Sequence, residues 1–155
     1  MKKILLISSG GGHLNELLQL KKVYKNYDYH LITEKTDTTK YLKQEDPNTS
    51  YLLYGTQDHL LPYLFIFPIN VLITLFYFLK HRPDIVITTG THTAVPMCYI
   101  AHFFRKKVIF IETFANSKSP TKAGKMVYKI ADLFVVQWEE MLKFYPKAQY
   151  WGWIF

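Results

Sequence analysis

The sequence predicts a doubly wound, parallel α/β sheet, Rossmann-like in plan, and three observations predict it. Ile4-Leu5-Leu6-Ile7 is a short unbroken aliphatic run, which a strand buried on both faces of a parallel sheet requires. A glycine turn and a helical pattern follow at once: Ser8-Ser9-Gly10-Gly11-Gly12-His13, then Leu14, Leu17, Leu18 and Leu20 at the spacing of one helix face. Strand-like and helix-like segments then alternate to the end of the chain. At 155 residues the expectation is one domain, 1–155, large enough to bury roughly 68–70% of its unfolded surface.

Taken in order, the leading helix is expected to run to about Tyr24. Tyr29 to Thr33 reads as the second strand, with Glu34 at its carboxyl end, and Thr36 to Gln44 is polar and weakly helical. Ser50 to Tyr54 is a third strand closed by Gly55. From Leu60 to Leu79 come twenty residues without a charge, between Asp58 and Lys80-His81-Arg82, which is the length of a membrane span. Pro62, Pro68 and Asn70 argue against one straight helix. The segment is therefore read as bent, an aromatic lead (Tyr63, Phe65, Phe67) followed by a helix from about Ile69 to Lys80, buried or half-buried and dipping into a bilayer surface, with a purely internal core helix and a true span as the alternatives. Ile85 to Thr89 is the fourth strand, and Ala94 to Phe104 a helix with Pro96 near its start, where proline is tolerated. Lys107 to Ile111 is the fifth strand with Glu112 at its end, Lys122 to Ile130 a helix, and Leu133 to Val136 the sixth strand. Glu139 to Tyr145 is a short helix halted by Pro146, and Gln149 to Ile154 is extended.

Composition narrows the function. Nearly half the residues are apolar and 17% are aromatic, which excludes disorder. The single cysteine, Cys98, lies in an apolar stretch, reads as core filler and points to a reducing compartment. Four aliphatics after Met1-Lys2-Lys3 are too few for a signal peptide, so a cytoplasmic or cytoplasm-facing protein is expected. The net charge of +7, concentrated at Lys21, Lys22 and Lys25 and from Arg105 to Lys129, suits an anionic membrane surface or a polyphosphate ligand. Nucleic acid is disfavoured, because the lysines lack the interleaved aromatics of a stacking platform.

In an open α/β sheet ligands bind beyond the carboxyl ends of the strands. Polar residues gather at three such ends: Ser8 to His13, Thr88 to Thr93 and Glu112 to Ser119. Glycines there let backbone N–H groups approach an anion at a helix start. Gly10 and Gly12 supply two glycines of a dinucleotide fingerprint, and Glu34 stands where a ribose-binding acid would. The third fingerprint position, however, is Asn15. No Gly-Lys-Ser/Thr follows the glycines, which excludes a P-loop.

These same loops carry a family resemblance. Ser8-Ser9-Gly10-Gly11-Gly12-His13-Leu14 resembles the Gly-Gly-His loop that opens glycosyltransferases of the two-Rossmann-domain (GT-B) class, and Pro83 to Gly90 and Lys107 to Glu112 are similar to later parts of that class. Glu112-Thr113-Phe114-Ala115, with Ala131-Asp132-Leu133-Phe134-Val135-Val136-Gln137-Trp138, resembles the split version, in which the N-terminal half is a separate polypeptide. Its members are the membrane-recruiting subunit of the UDP-N-acetylglucosamine transferase of N-glycan assembly and the enhancer subunits of bacterial capsular and exopolysaccharide glycosyltransferases.

The resemblance implies a subunit of an inverting transferase that moves a sugar from a UDP-sugar to a lipid-pyrophosphate-linked saccharide in capsular or exopolysaccharide synthesis. The donor would be held mainly by a catalytic partner subunit, with no metal and no cofactor. His13 would be base or acceptor-diphosphate ligand, and Glu112 the other candidate base. Ser9, Gly11, Gly12, Thr91 and, more weakly, Asn116 would contact acceptor or phosphate. The family often has Arg where Asn116 stands, and eukaryotic members carry an N-terminal membrane helix that this sequence does not show. Tyr63, Phe65 and Phe67 would then touch the membrane, placing the protein peripherally on the cytoplasmic face of the cell membrane. A scaffold that only recruits its partner, and a stand-alone nucleotide-binding enzyme, are the alternatives.

Overall fold

The computed structural model describes residues 1–55 and 60–155, with side chains for all of these except 60–63. The strands are β1 (Lys3–Ser8), β2 (Asp28–Lys35), β3 (Thr49–Leu53), β4 (Ile85–Thr88), β5 (Lys107–Ile111), β6 (Leu133–Val136) and β7 (Gln149–Tyr150). The helices are α1 (Gly12–Gln19), α2 (Lys21–Tyr24), α3 (Leu42–Glu45), α4 (Leu60–His81), α5 (Val95–Phe103) and α6 (Lys122–Val127), with 3-10 turns at His92–Ala94 and Glu139–Lys143. The strands form one parallel sheet in the order β3-β2-β1-β4-β5-β6-β7. The order reverses between β1 and β4, and that switch point opens a crevice above their carboxyl ends.

The aliphatic run of β1 is continuous because it serves two cores. Leu5 and Ile7 pack with Phe78 of α4, Met97, Cys98 and Ala101 of α5 and Val127 of α6. Ile4 and Leu6 point the other way, onto Leu14, Leu17 and Tyr24. Each such side chain contributes about 1.5–3 kcal/mol through burial. Cys98 is free and buried in the larger core, where desolvation pushes its thiol up to about 12.

Three expectations need correction. The leading helix does not run unbroken to Tyr24. It ends at Gln19, and α2 restarts at Lys21 after Leu20, whose ψ of 3° is not helical. The 3-10 turn at Glu139–Lys143 replaces the short α-helix expected there. The uncharged segment is not a lead followed by a later helix. It is one continuous helix, α4, with Pro68 inside it.

Physical reasons for the continuous helix are at hand. Pro62 falls in the first turn, whose N–H groups lack intrahelical partners anyway. Pro68 stands on the exposed face, so the carbonyl it leaves unpaired is not trapped in the core. Asn70 is not a breaker, because its side chain is used elsewhere. The Leu53 N–H donates to Asn70 Oδ1 at 2.9 Å, and Asn70 Nδ2 donates to the Leu53 carbonyl at 2.8 Å. That pair mimics a neighbouring strand and closes part of the free edge of β3.

Thr74 and Phe78 turn α4 inward. Leu64, Phe65, Ile69, Leu72, Phe76 and Leu79 form an exposed apolar stripe on the other side, with Phe65 73% exposed. Residues Leu64–His81 are long and apolar enough to cross a membrane by length and composition. The Tyr63 side chain lies outside the described residues.

Candidate functional site

The glycine turn and the β4 loop meet at the switch point. Gly11, with φ of 75°, is the residue before α1, a conformation that glycine adopts without the Cβ penalty. No side chain caps the helix start, so its first N–H groups stay available. A Cβ built at Gly11 or Gly12 would meet nothing within 4 Å, which leaves the loop open to a ligand.

His13, in the first turn of α1, is clamped across the switch point. Its Nδ1 lies 2.7 Å from the Thr89 carbonyl, and the Thr89 hydroxyl donates to the His13 carbonyl at 2.6 Å. A carbonyl can only accept, so Nδ1 carries the proton and Nε2 of the neutral ring keeps its lone pair. His13 lines a cavity of about 410 Å³ together with Phe67, Thr91, His92, Lys122 and Met126. Phe67 therefore borders this cavity, whereas Phe65 lies on the outward stripe.

Ser9, Gly10 and Gly11 line a second, larger cavity of about 1050 Å³ with Glu34, Thr36, Tyr54 and His92. His92 borders both spaces. Burial, then the neighbouring His13, lowers its imidazole below the usual range. Thr91 is buried, and its hydroxyl accepts from the Thr93 N–H at 3.4 Å, so it caps the 3-10 turn while lining the smaller cavity.

Glu112, the other candidate base, stands behind the β4 turn rather than in the crevice. It is 1% exposed and borders neither cavity. The Tyr145 hydroxyl donates to Oε2 at 2.7 Å, the Thr121 hydroxyl to Oε1 at 2.9 Å, and the Thr113 and Thr121 N–H groups at 3.1 and 3.3 Å. A carboxylate so occupied braces the loop that supports the β4 turn: a Cβ at Gly90 would come within 3.3 Å of Oε1. Asn116 borders neither cavity as well; its Nδ2 donates to the Ser119 carbonyl at 3.2 Å. The third polar loop thus supports the crevice from behind, and the wall it was expected to supply comes from Thr121 to Met126.

Sequence reasoning missed Glu16 and Gln137. Glu16, buried on α1, accepts from the Thr113 hydroxyl at 2.7 Å, the Phe114 N–H at 3.2 Å and Gln137 Nε2 at 3.1 Å. Gln137 also donates to the Glu112 carbonyl at 3.1 Å and accepts from the Ile154 N–H at 3.0 Å. These two residues tie the helix that carries His13 to the β5 loop and to the C-terminal segment. The contacts of Glu16 span about a hundred residues, and Gln137, though within the Ala131–Trp138 stretch, gives no local sign of partners 25 and 17 residues away. Among the described residues no group of three or more His, Cys, Asp or Glu converges as a metal would need.

Solved structures with this fold include the crystal structure of Acinetobacter baumannii MurG (TM-score 0.71, 14% identity), which covers 90% of this chain and 43% of its own. A UDP-N-acetylglucosamine 2-epimerase from Rickettsia bellii (TM-score 0.76, 13% identity) covers 99% and 45%. The chain thus spans less than half of either, and at this identity the likeness is one of fold. Curated relatives match over more of their length. The human UDP-N-acetylglucosamine transferase subunit ALG14 is 30% identical over 96% of this chain and 81% of its own. The Candida albicans subunit of the same name is 26% identical over 95% and 75%. The family model described as "Oligosaccharide biosynthesis protein Alg14 like" matches residues 4–154. By that near-complete match, the chain belongs to the Alg14-like family of oligosaccharide biosynthesis proteins.

Proposed function

We propose that this chain is the acceptor-side, membrane-facing half of a bipartite, inverting UDP-sugar-dependent glycosyltransferase acting on a lipid-pyrophosphate-linked saccharide. The relatives are named as subunits of a UDP-N-acetylglucosamine transferase, which supports N-acetylglucosamine as the sugar moved. The capsular and exopolysaccharide setting has no counterpart among these relatives and is not part of the proposal. A donor-binding catalytic subunit is the partner, and the UDP-sugar is held mainly there.

The observation that carries this reading is the clamp on His13. Its Nδ1–H is committed to the Thr89 carbonyl at 2.7 Å, which fixes the ring beside the cavity with Nε2 as the available base. An acceptor hydroxyl delivered to Nε2 gives it its proton as the oxygen attacks the anomeric carbon of the UDP-sugar and the bond to the diphosphate breaks, releasing UDP; such a base is worth on the order of 100-fold or more in rate. Backbone N–H groups at the start of α1 and Lys122 on the opposite wall suit the acceptor diphosphate. Phe67 and Met126 are apolar side chains at that cavity, each partly exposed, and α4 carries a separate exposed apolar stripe, which together suit a lipid carrier and peripheral attachment on the cytoplasmic face.

Reconstitution tests the proposal. The chain, a donor-binding partner subunit, UDP-N-acetylglucosamine and a lipid-diphosphate-linked saccharide should give transfer together, and none when either subunit is omitted. Full turnover by the lone chain in detergent-free buffer would overturn it.

A further inference from the structure

The larger cavity has a chemistry of its own. Glu34, from β2, is only 5% exposed yet forms part of its wall. Its Oε1 accepts from the Thr93 hydroxyl at 2.6 Å, and the Gly10 backbone N–H is a second donor. A carboxylate offers about four acceptor positions, so roughly two remain for a ligand. Burial raises the Glu34 carboxyl above its usual range, and that cost falls when further donors arrive.

The rest of the lining fits the same kind of ligand. Tyr54 offers an exposed ring at the rim. The wall between them is held rigid: the Thr39 hydroxyl donates to the Glu34 carbonyl at 2.5 Å, and the Thr36 N–H donates to the Thr39 hydroxyl at 2.8 Å. Of the two lysines at the rim, Lys40 is paired with Asp37 at 2.9 Å, and Lys35 is exposed at the end of β2. A buried carboxylate repels phosphate and accepts from hydroxyls, and an aromatic ring gives a flat apolar face to a sugar ring. The glycine turn, Ser9 to Gly11, borders this same cavity, so a diphosphate joined to the sugar can lie against the helix start beside the Glu34 wall.

We infer that the 1050 Å³ cavity is a pyranose subsite, in which Glu34 accepts hydrogen bonds from ring hydroxyls and Tyr54 stacks on the ring face. This rests on the proposed transferase reading and adds to it a division of the crevice: saccharide over Glu34, diphosphate over the glycine turn, lipid past Phe67. The pyranose comes either from the acceptor or from the sugar of the donor, and kinetics separate the two.

The test uses the reconstituted complex, with UDP-N-acetylglucosamine and the lipid-diphosphate-linked saccharide that it elongates. Glu34→Gln and Tyr54→Ala should each raise one KM by about 10-fold or more, the loss expected for a charged hydrogen bond or a stacking contact, with kcat little changed. Tyr54→Phe keeps the ring and should restore the KM. A rise confined to the acceptor KM assigns the subsite to the acceptor saccharide, and one confined to the UDP-sugar KM assigns it to the donor. If Glu34→Gln does not fold, the exposed Tyr54 pair of variants decides alone. Should the unaltered complex transfer sugar while the variants keep both KM values, or lose only kcat, the subsite is overturned and the transferase reading stands. If the unaltered complex transfers nothing, both fall.

Discussion

Tyr145→Phe and Glu112→Gln separate a brace from a base. Tyr145 is buried and its hydroxyl donates to Glu112 Oε2 at 2.7 Å. Phenylalanine keeps the ring contacts with Tyr128 and Phe134 and deletes one hydrogen bond to a buried carboxylate. Such a bond is worth about 1.5–3 kcal/mol. At about 2–4 °C per kcal/mol for a chain of this size, the melting temperature should drop by about 3–12 °C. Glu112→Gln should cost more, because an amide nitrogen must face donors from Thr113, Thr121 or Tyr145. Thermal unfolding followed by circular dichroism gives the stability. Turnover of the reconstituted complex, measured well below the lowered melting temperature, should stay within about 3-fold of the unaltered value, since no transition-state interaction is removed. An unchanged melting temperature with a loss of about 100-fold in kcat for Glu112→Gln would show instead that this carboxylate takes the acceptor proton.

Three further outcomes follow from the packing and charge. Gly124→Ala puts a Cβ against Glu112 Oε2 and the Tyr145 hydroxyl, so it should destabilise by about 1–3 kcal/mol, read by denaturant titration; a neutral result would mean the brace is looser than drawn. Burial, then His81 and Lys80, lowers His30 to about 4, and burial lowers His81 as well. The unfolded chain takes up those protons near pH 6.5, so stability should decline as pH falls from about 6.5 to 4; His30→Gln should flatten that decline, and an identical slope would refute the cause. Leu72→Glu with Phe76→Glu, both on the exposed stripe of α4, should cut binding to anionic vesicles by about 100-fold or more without moving the melting temperature; unchanged cosedimentation would place the membrane contact elsewhere.

Much of the fold was legible because burial on both faces leaves a local mark. The runs Lys107–Ile111 and Leu133–Val136 are strands with the bounds their aliphatics predict. The alternation of elements predicted the parallel sheet, whereas the switch point between β1 and β4 became visible only with the strand order. Pro68 misled because the penalty for an internal proline depends on where the freed carbonyl points, and here it lies on an exposed face. Leu20 carries no breaker signal, so the end of α1 could not be read. At the site, His13 was legible from its place after three glycines, but its tautomer was not, since Thr89 lies 76 residues away. The burial of Glu112 was not legible, because its partners, Thr121 and Tyr145, lie 9 and 33 residues further on. Glu34 was noticed only as part of an incomplete dinucleotide pattern; its burial beside a cavity became visible with the fold.

His13→Asn in the reconstituted complex is the most direct test of an acceptor-side base in this chain. Asparagine can donate to the Thr89 carbonyl as Nδ1 does, so the helix start and the complex should persist, while nothing remains in place of Nε2. The expected result is an intact complex whose kcat falls on the order of 100-fold or more, with the UDP-sugar KM little changed. An intact complex with near-normal turnover would contradict it and leave this chain a scaffold for its partner.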